Sequence, residues 1–182
     1  YTINNASTTE GGNLSFTVSL DNPVDIATTV QVSFTDGTTS AGDFNHTAQS
    51  VTFLAGTTTS QPVTVATTDD GTVEATENFT AHLNVTTTPG GRAFVFGDTG
   101  TGTITDNDTA TYTIDDVIVA EGSSLLFTVS LNNPVDIETT VDVSFTDLST
   151  LPGDFAHGTQ TVTFAANTTT AQTLSVATTD DN

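Results

Sequence analysis

Carboxylates are the side chains in this sequence with the most chemistry to offer. The stretch Asp69-Asp70-x-x-x-Glu74-x-x-Glu77 puts four of them within nine residues, and Glu10, Asp43, Asp106 and Asp108 stand at other breaks between apolar runs. Two carboxylates about 5 Å apart repel by ~3 kcal/mol at an effective dielectric near 20, so a cluster of them takes up protons or holds cations. Calcium is the cation that such oxygens suit, because it accepts about six to eight oxygen ligands in flexible geometry. Softer metals are disfavoured: there is no cysteine, and the three histidines lie outside the acidic motifs. Catalytic uses of the same acids fit less well. Glu74 and Glu77 as a glycosidase pair would sit among further carboxylates without the aromatics of a sugar cleft. Asp43 with His46, repeated as Asp154 with His157, lacks a nucleophile signature and reads as a structural hydrogen bond. The sequence therefore points away from an enzyme.

Composition narrows the partners. Twenty-two acidic residues face a single Arg92 with no lysine, for a net charge of -21. Nucleic acid and anionic membrane surfaces need Lys or Arg against phosphate, so neither is expected as a partner. No apolar run of about 18 residues is present, and no membrane insertion is expected. With 35% hydrophobic residues the chain can build packed cores. Scattered acids commonly serve only to solvate a surface, and Asp21, Asp25, Asp36 and Asp98 suit that role. The seven Asn-x-Ser/Thr triplets carry no weight in a chain so rich in Asn and Thr.

The elements that must position the acids come in a repeat. Shifting the chain by 111 positions lays residues 112–182 over residues 1–71 without a gap, with 44 identities in 71 positions. Copy one spans residues 1–110. Residues 111–182 hold the N-terminal part of copy two. Within a copy the apolar period is two: Phe16, Val18, Leu20; Val30, Val32, Phe34; Val51, Phe53; Val63, Val65; Phe79, Ala81, Leu83, Val85. Turn signals separate these runs at Asp21-Asn22-Pro23, Asp36-Gly37, Ala55-Gly56, Asp70-Gly71 and Pro89-Gly90-Gly91. About seven short strands per copy predict an all-β protein of tandem immunoglobulin-like antiparallel sandwiches.

Each strand carries the chain from one pole of a sandwich to the other, so successive loops alternate between poles. Counting from Glu10, this parity sends Asp43, Asp69, Asp70, Glu74, Asp106 and Asp108 to the same pole, with Glu77 at the first step of the next strand. The count needs one strand over residues 94–105 that keeps its direction, with a bulge at Gly97-Asp98-Thr99-Gly100 rather than a hairpin. Eight of the twelve acids in copy one then share one end.

These residues resemble the Calx-β repeat, found in sodium–calcium exchangers, in an integrin cytoplasmic tail and in very long bacterial surface proteins. The carriers are Glu10-Gly11, Gly42-Asp43-Phe44, the stretch from Asp69-Asp70 to Glu77-Asn78-Phe79, and Ile104-Thr105-Asp106-Asn107-Asp108. The resemblance implies that Glu10, Asp43, Asp69, Asp70, Glu74, Glu77, Asp106 and Asp108 are calcium ligands, with a carbonyl near Thr72 in addition. Calcium-binding members often close on three aspartates, and here Asn107 holds the middle place. Copy two keeps Glu121, Asp154, Asp180 and Asp181.

A calcium-dependent structural spacer of a secreted or cell-surface array follows as the expected function, with calcium stiffening the joint that leaves from Asp106. Neighbouring repeats of the same chain are the expected partners, together with a neighbouring chain that could complete the second sandwich. Two rival functions stay open. One is a carbohydrate- or surface-binding module, with Tyr1 and Tyr112 as its aromatics; the other is a cytosolic calcium sensor of the exchanger type.

Overall fold

Alternating Thr, Val and Phe leave each strand with one apolar face, and a sheet so built must cover that face with another. The computed structural model describes residues 1–87 and 90–181, so Pro89 of the expected Pro89-Gly90-Gly91 turn lies outside the described residues. Among the described residues the secondary structure is all β, and no helix is long and apolar enough to cross a membrane. The chain forms two compact units, and Gly71–Glu74 groups with the second.

The first unit carries β1 (Thr2–Ile3), β2 (Ala6–Thr9), β3 (Asn13–Ser19), β4 (Thr28–Asp36), β5 (Gln49–Phe53), β6 (Gln61–Ala66), β7 (Glu77–Val85) and β8 (Thr99–Thr105). Its two sheets have the orders β1-β3-β6 and β2-β8-β7-β4-β5. Every pairing is antiparallel except β2 with β8. β1 and β2 are one run of chain that changes sheet at two asparagines. Asn4 Oδ1 accepts the Thr17 amide of β3, and Asn5 Oδ1 accepts the Thr101 amide of β8 at 2.8 Å.

Between the sheets lie Leu14, Phe16 and Val18 of β3, Val63 and Val65 of β6, Val30 and Val32 of β4, Phe53 of β5, and Phe79 and Ala81 of β7, all essentially without exposure. Each such side chain contributes about 1.5–3 kcal/mol on burial. Phe79 is the centre of the aromatic packing. Its ring meets Phe16 and Phe34 edge-on and stacks at 3.9 Å on Phe44. Gly102, opposite Phe79 in the ladder, makes the space: a Cβ there would lie 2.4 Å from the Phe79 ring. Tyr1 is buried against Phe53 and Phe94, and its hydroxyl bonds Thr28 Oγ1 at 2.6 Å, so its ring is core and offers no exposed platform.

The strand expected over residues 94–105 begins only at Thr99. Asp98 explains the delay, because its Oδ2 accepts the Ile3 amide at 2.9 Å and holds that stretch as a loop over β1. Direction is kept all the same: Glu77 pairs with Ile104 and His82 with Thr99, so Asp106 emerges at the end where β7 begins.

The second unit carries β9 (Tyr112–Ile114), β10 (Ser124–Leu131), β11 (Thr139–Val143), β12 (Gln160–Phe164) and β13 (Gln172–Ala177), in sheets ordered β13-β10-β9 and β11-β12. These repeat β6-β3-β1 and β4-β5. Its buried core is smaller: Val129, Leu131, Val162, Phe164, Leu174 and Val176. Calorimetry is expected to resolve two transitions, the second unit melting first. Phe164→Ala should lower only that first transition, by about 3–5 kcal/mol. A single transition that shifts as a whole would contradict separate cores.

Candidate metal centre

Glu10 sits where the chain turns from β2 into β3, and the turn fixes it tightly. The Glu10 amide donates to the Thr105 carbonyl at 3.0 Å, and the Gly11 amide donates to the Thr68 carbonyl at 3.0 Å. Gly11 has φ +70°, and a Cβ on it would stand 2.9 Å from Asp69 Cβ. Both facts demand glycine. The pair Glu10-Gly11 thus holds one acid beside the loop that carries the next two. The Thr67 amide donates to the Gly12 carbonyl and the Thr68 amide to the Asp43 carbonyl, at 3.0 and 2.8 Å, so the stretch before Asp69 is tied on both sides.

On this scaffold Glu10 and Asp70 each present a carboxylate oxygen within 4.8 Å of the other. Two oxygens that share one calcium at about 2.4 Å each can lie no more than about 5 Å apart, so the spacing fits a common ion. Asn107 ties the end of β8 to the same place. Its amide donates to Glu10 Oε1 at 3.0 Å, and its side-chain Nδ2 donates to Asp69 Oδ1 at 3.3 Å. An aspartate at this position could not make the second bond, so the departure from three consecutive aspartates adds a clamp where it removes a charge. Sequence reasoning gave Asn107 only the middle place of the closing triplet, and its donor group was the signal for the clamp.

The remaining expected ligands are placed as follows. Asp106 directly precedes Asn107, and Glu77 opens β7 opposite Ile104. Asp43 is held beside Thr68 by its backbone, while its carboxylate is turned into its own loop, where Oδ1 accepts the Ser40 hydroxyl at 2.9 Å and Oδ2 the Ser40 amide. Thr72 and Glu74 lie in Gly71–Glu74, the segment grouped with the second unit. Asp108 follows Asn107 by one peptide bond, with its Oδ2 shielded from solvent. In the second unit Gly122 has φ +76° and approaches Asp180 as Gly11 approaches Asp69, while Glu121, Asp154 and Asp181 line one cavity of 720 Å³. Asp154 Oδ2 accepts the Leu151 amide at 2.8 Å, the counterpart of the Asp43 arrangement.

His46 and His157 are structural, with a different partner from the one expected. His46 Nε2 meets Asp36 Oδ1 at 2.7 Å rather than Asp43, and its ring stacks at 3.7 Å on Phe44. His157 repeats this with Asp147 at 3.0 Å and with Phe155. Asp36 is therefore a fastener of the loop after β4, whereas composition assigned it to solvation. Hydrogen bonds from His46 and then Thr39 hold the Asp36 carboxyl below the usual carboxylate range. A lowered folded-state pKa contributes stability that is present above the unfolded value, near 3.9, and is lost as pH falls below it. The drop in melting temperature between pH 5 and pH 3 is thus expected to shrink in Asp36→Asn; an unchanged drop would assign the acid sensitivity elsewhere.

Asn107→Asp is expected to lower the melting temperature without calcium, by losing the clamp and adding repulsion, and to enlarge the rise that calcium produces. Paired thermal scans in chelator and calcium check both signs, and an unaltered chelator scan would remove the clamp from the site.

A model of the Calx-beta domain matches residues 5–116 and again residues 106–182, and the chain belongs to the Calx-beta domain family. No curated protein sequence matches the chain. Among the solved structures similar to it are the following three. The apo-form Calx CBD1 domain shares 24% identity over 59% of this chain and 100% of its own, with a TM-score of 0.49. The calcium binding domain CBD12 of CALX1.1 shares 20% over 93% and 70%, with a TM-score of 0.49. CBD12 from CALX1.2 shares 20% over 96% and 73%, with a TM-score of 0.50, a likeness of fold.

Proposed function

We propose that this chain is a non-catalytic, calcium-binding spacer of an extracellular or cell-surface array. Calcium is held in the first repeat by Glu10, Asp69, Asp70, Glu77 and Asp106. The observation that carries the reading is the meeting of Glu10 and Asp70 oxygens within 4.8 Å beside the Asn107 clamp. Membership of the Calx-beta domain family supports the choice of calcium. Asn107 is also the root of the segment that leads to Tyr112, so an ion bound here acts on the joint between repeats. With calcium the acids share a counter-charge and the joint stiffens; without it they repel and the joint bends.

Small-angle scattering tests this directly. Calcium is expected to narrow the distribution of particle dimensions, and an unchanged profile with calcium demonstrably bound would separate binding from stiffening. Affinity tests the location. Sites of extracellular modules bind at about 10⁻⁴–10⁻³ M, whereas cytosolic sensors bind at about 10⁻⁷–10⁻⁵ M. Calorimetric titration is expected to return the weaker class, and a micromolar constant would favour a sensor.

A further inference from the structure

Gly71–Glu74 belongs to the second unit because its backbone is hydrogen-bonded there. The Val73 amide donates to the Pro134 carbonyl at 2.9 Å, the Asp136 amide donates to the Val73 carbonyl at 3.1 Å, and Val73 forms a parallel bridge with Val135. The receiving turn, Asn133-Pro134-Val135-Asp136, has an equivalent in the first unit 111 residues earlier, Asn22-Pro23-Val24-Asp25, identical at all four positions. Both turns are built alike. The Gly56 amide bonds the Val24 carbonyl at 2.7 Å, and the Asn167 amide bonds the Val135 carbonyl at 2.7 Å. Gly56 and Asn167 both take positive φ.

The two turns differ in cover. Asn133, Pro134 and Asp136 are half-buried, while Asn22, Pro23 and Asp25 are exposed. Beside the exposed turn lies a cavity of 470 Å³ whose walls include Tyr1, Leu20, Pro23, Val24 and Phe94. Arg92 holds this turn in shape through Asp25, with Nε to Oδ1 at 2.5 Å and Nη2 to Oδ2 at 2.8 Å.

We infer that the turn at residues 22–25 is a docking site for the Gly71–Glu74 segment of a preceding repeat of this same sequence. The Pro23 carbonyl receives the incoming Val73 amide, the Asp25 amide donates to the Val73 carbonyl, and the valine side chain packs beside Val24 at the mouth of the cavity. Asp21 takes the part of Asn132, whose Oδ1 accepts the Thr111 amide, and so receives the amide of the residue before Tyr1. Each repeat in an array then hands one short strand forward to the next through backbone hydrogen bonds. Register is set by the sequence, because in such an array donor and acceptor segments both recur at the repeat shift of 111 residues.

Hydrogen exchange reads this out at one amide. In the full chain the Asp136 amide is expected to exchange slowly and the Asp25 amide fast. Extending the full chain at Tyr1 by a further copy of residues 1–111 should slow the Asp25 amide by about tenfold or more. Val73→Pro in the added copy removes the donor and should restore fast exchange, with slow exchange at that copy's Phe79 and Ala81 amides showing that it has folded. An Asp25 amide that stays fast in the extended chain overturns the inference, and so does protection that survives Val73→Pro.

Discussion

Replacing Glu10 by Gln and Asp70 by Asn together is expected to weaken calcium binding about a hundredfold or more while the first unit stays folded. Each carboxylate contributes a charged oxygen, and a contact to a charged group is worth about 1.5–3 kcal/mol, so losing two exceeds the ~2.7 kcal/mol of a hundredfold change. The fold is expected to survive because neither side chain belongs to the buried core. The Glu10 oxygen that accepts the Asn107 amide has an equivalent in the Gln carbonyl, and Asp70 is exposed. Isothermal titration of the variant against the parent chain decides the matter. Unchanged affinity would place the ion elsewhere, among the other acids.

Phe79→Ala is expected to destabilise the first unit by about 3–5 kcal/mol, the cost of removing a fully buried aromatic ring. Its consequences should reach the metal centre as well. Phe79 stacks on Phe44, which follows Asp43, and its own strand opens at Glu77, so the cavity left behind loosens two acid-bearing segments at once. Collapse is poor at this position because the opposite residue is Gly102, which has no side chain to move in. Chemical denaturation gives the stability change, and the same samples titrated with calcium give the coupling. A loss below about 1 kcal/mol would mean that Phe79 is not the hub of the packing.

Much of this was legible because burial on one face imposes a period of two. β3, β4, β5, β6 and β7 fall on the apolar alternations, and the landmarks Gly11, Phe44 and Phe79 prove to be a close approach and two stacked core rings. What escaped was carried by polar side chains. β1 and β2 have little apolar alternation, since Asn4 and Asn5 bond the backbone where the chain changes sheet. Asp98 caps an amide of β1 and so delays β8 to Thr99, a contact across 95 positions that no local pattern signals. Asp36 in place of Asp43 as the partner of His46 is a choice between two nearby acids made by tertiary packing. Parity of the loops nevertheless sent Asp106 to the end shared with Glu77, since β8 keeps its direction against β7.

The direct test of calcium as the ion that this pole holds is thermal unfolding of the chain in chelator, in about 5 mM calcium and in equal magnesium. For a dissociation constant near 10⁻⁴ M the linkage is about 2.3 kcal/mol at that concentration. At about 4–8 °C per kcal/mol for a domain of this size, the first unit's midpoint should rise by about 10 °C in calcium and far less in magnesium. Equal midpoints in calcium, magnesium and simple salt would contradict it, and would leave the acids of this pole as a solvating surface.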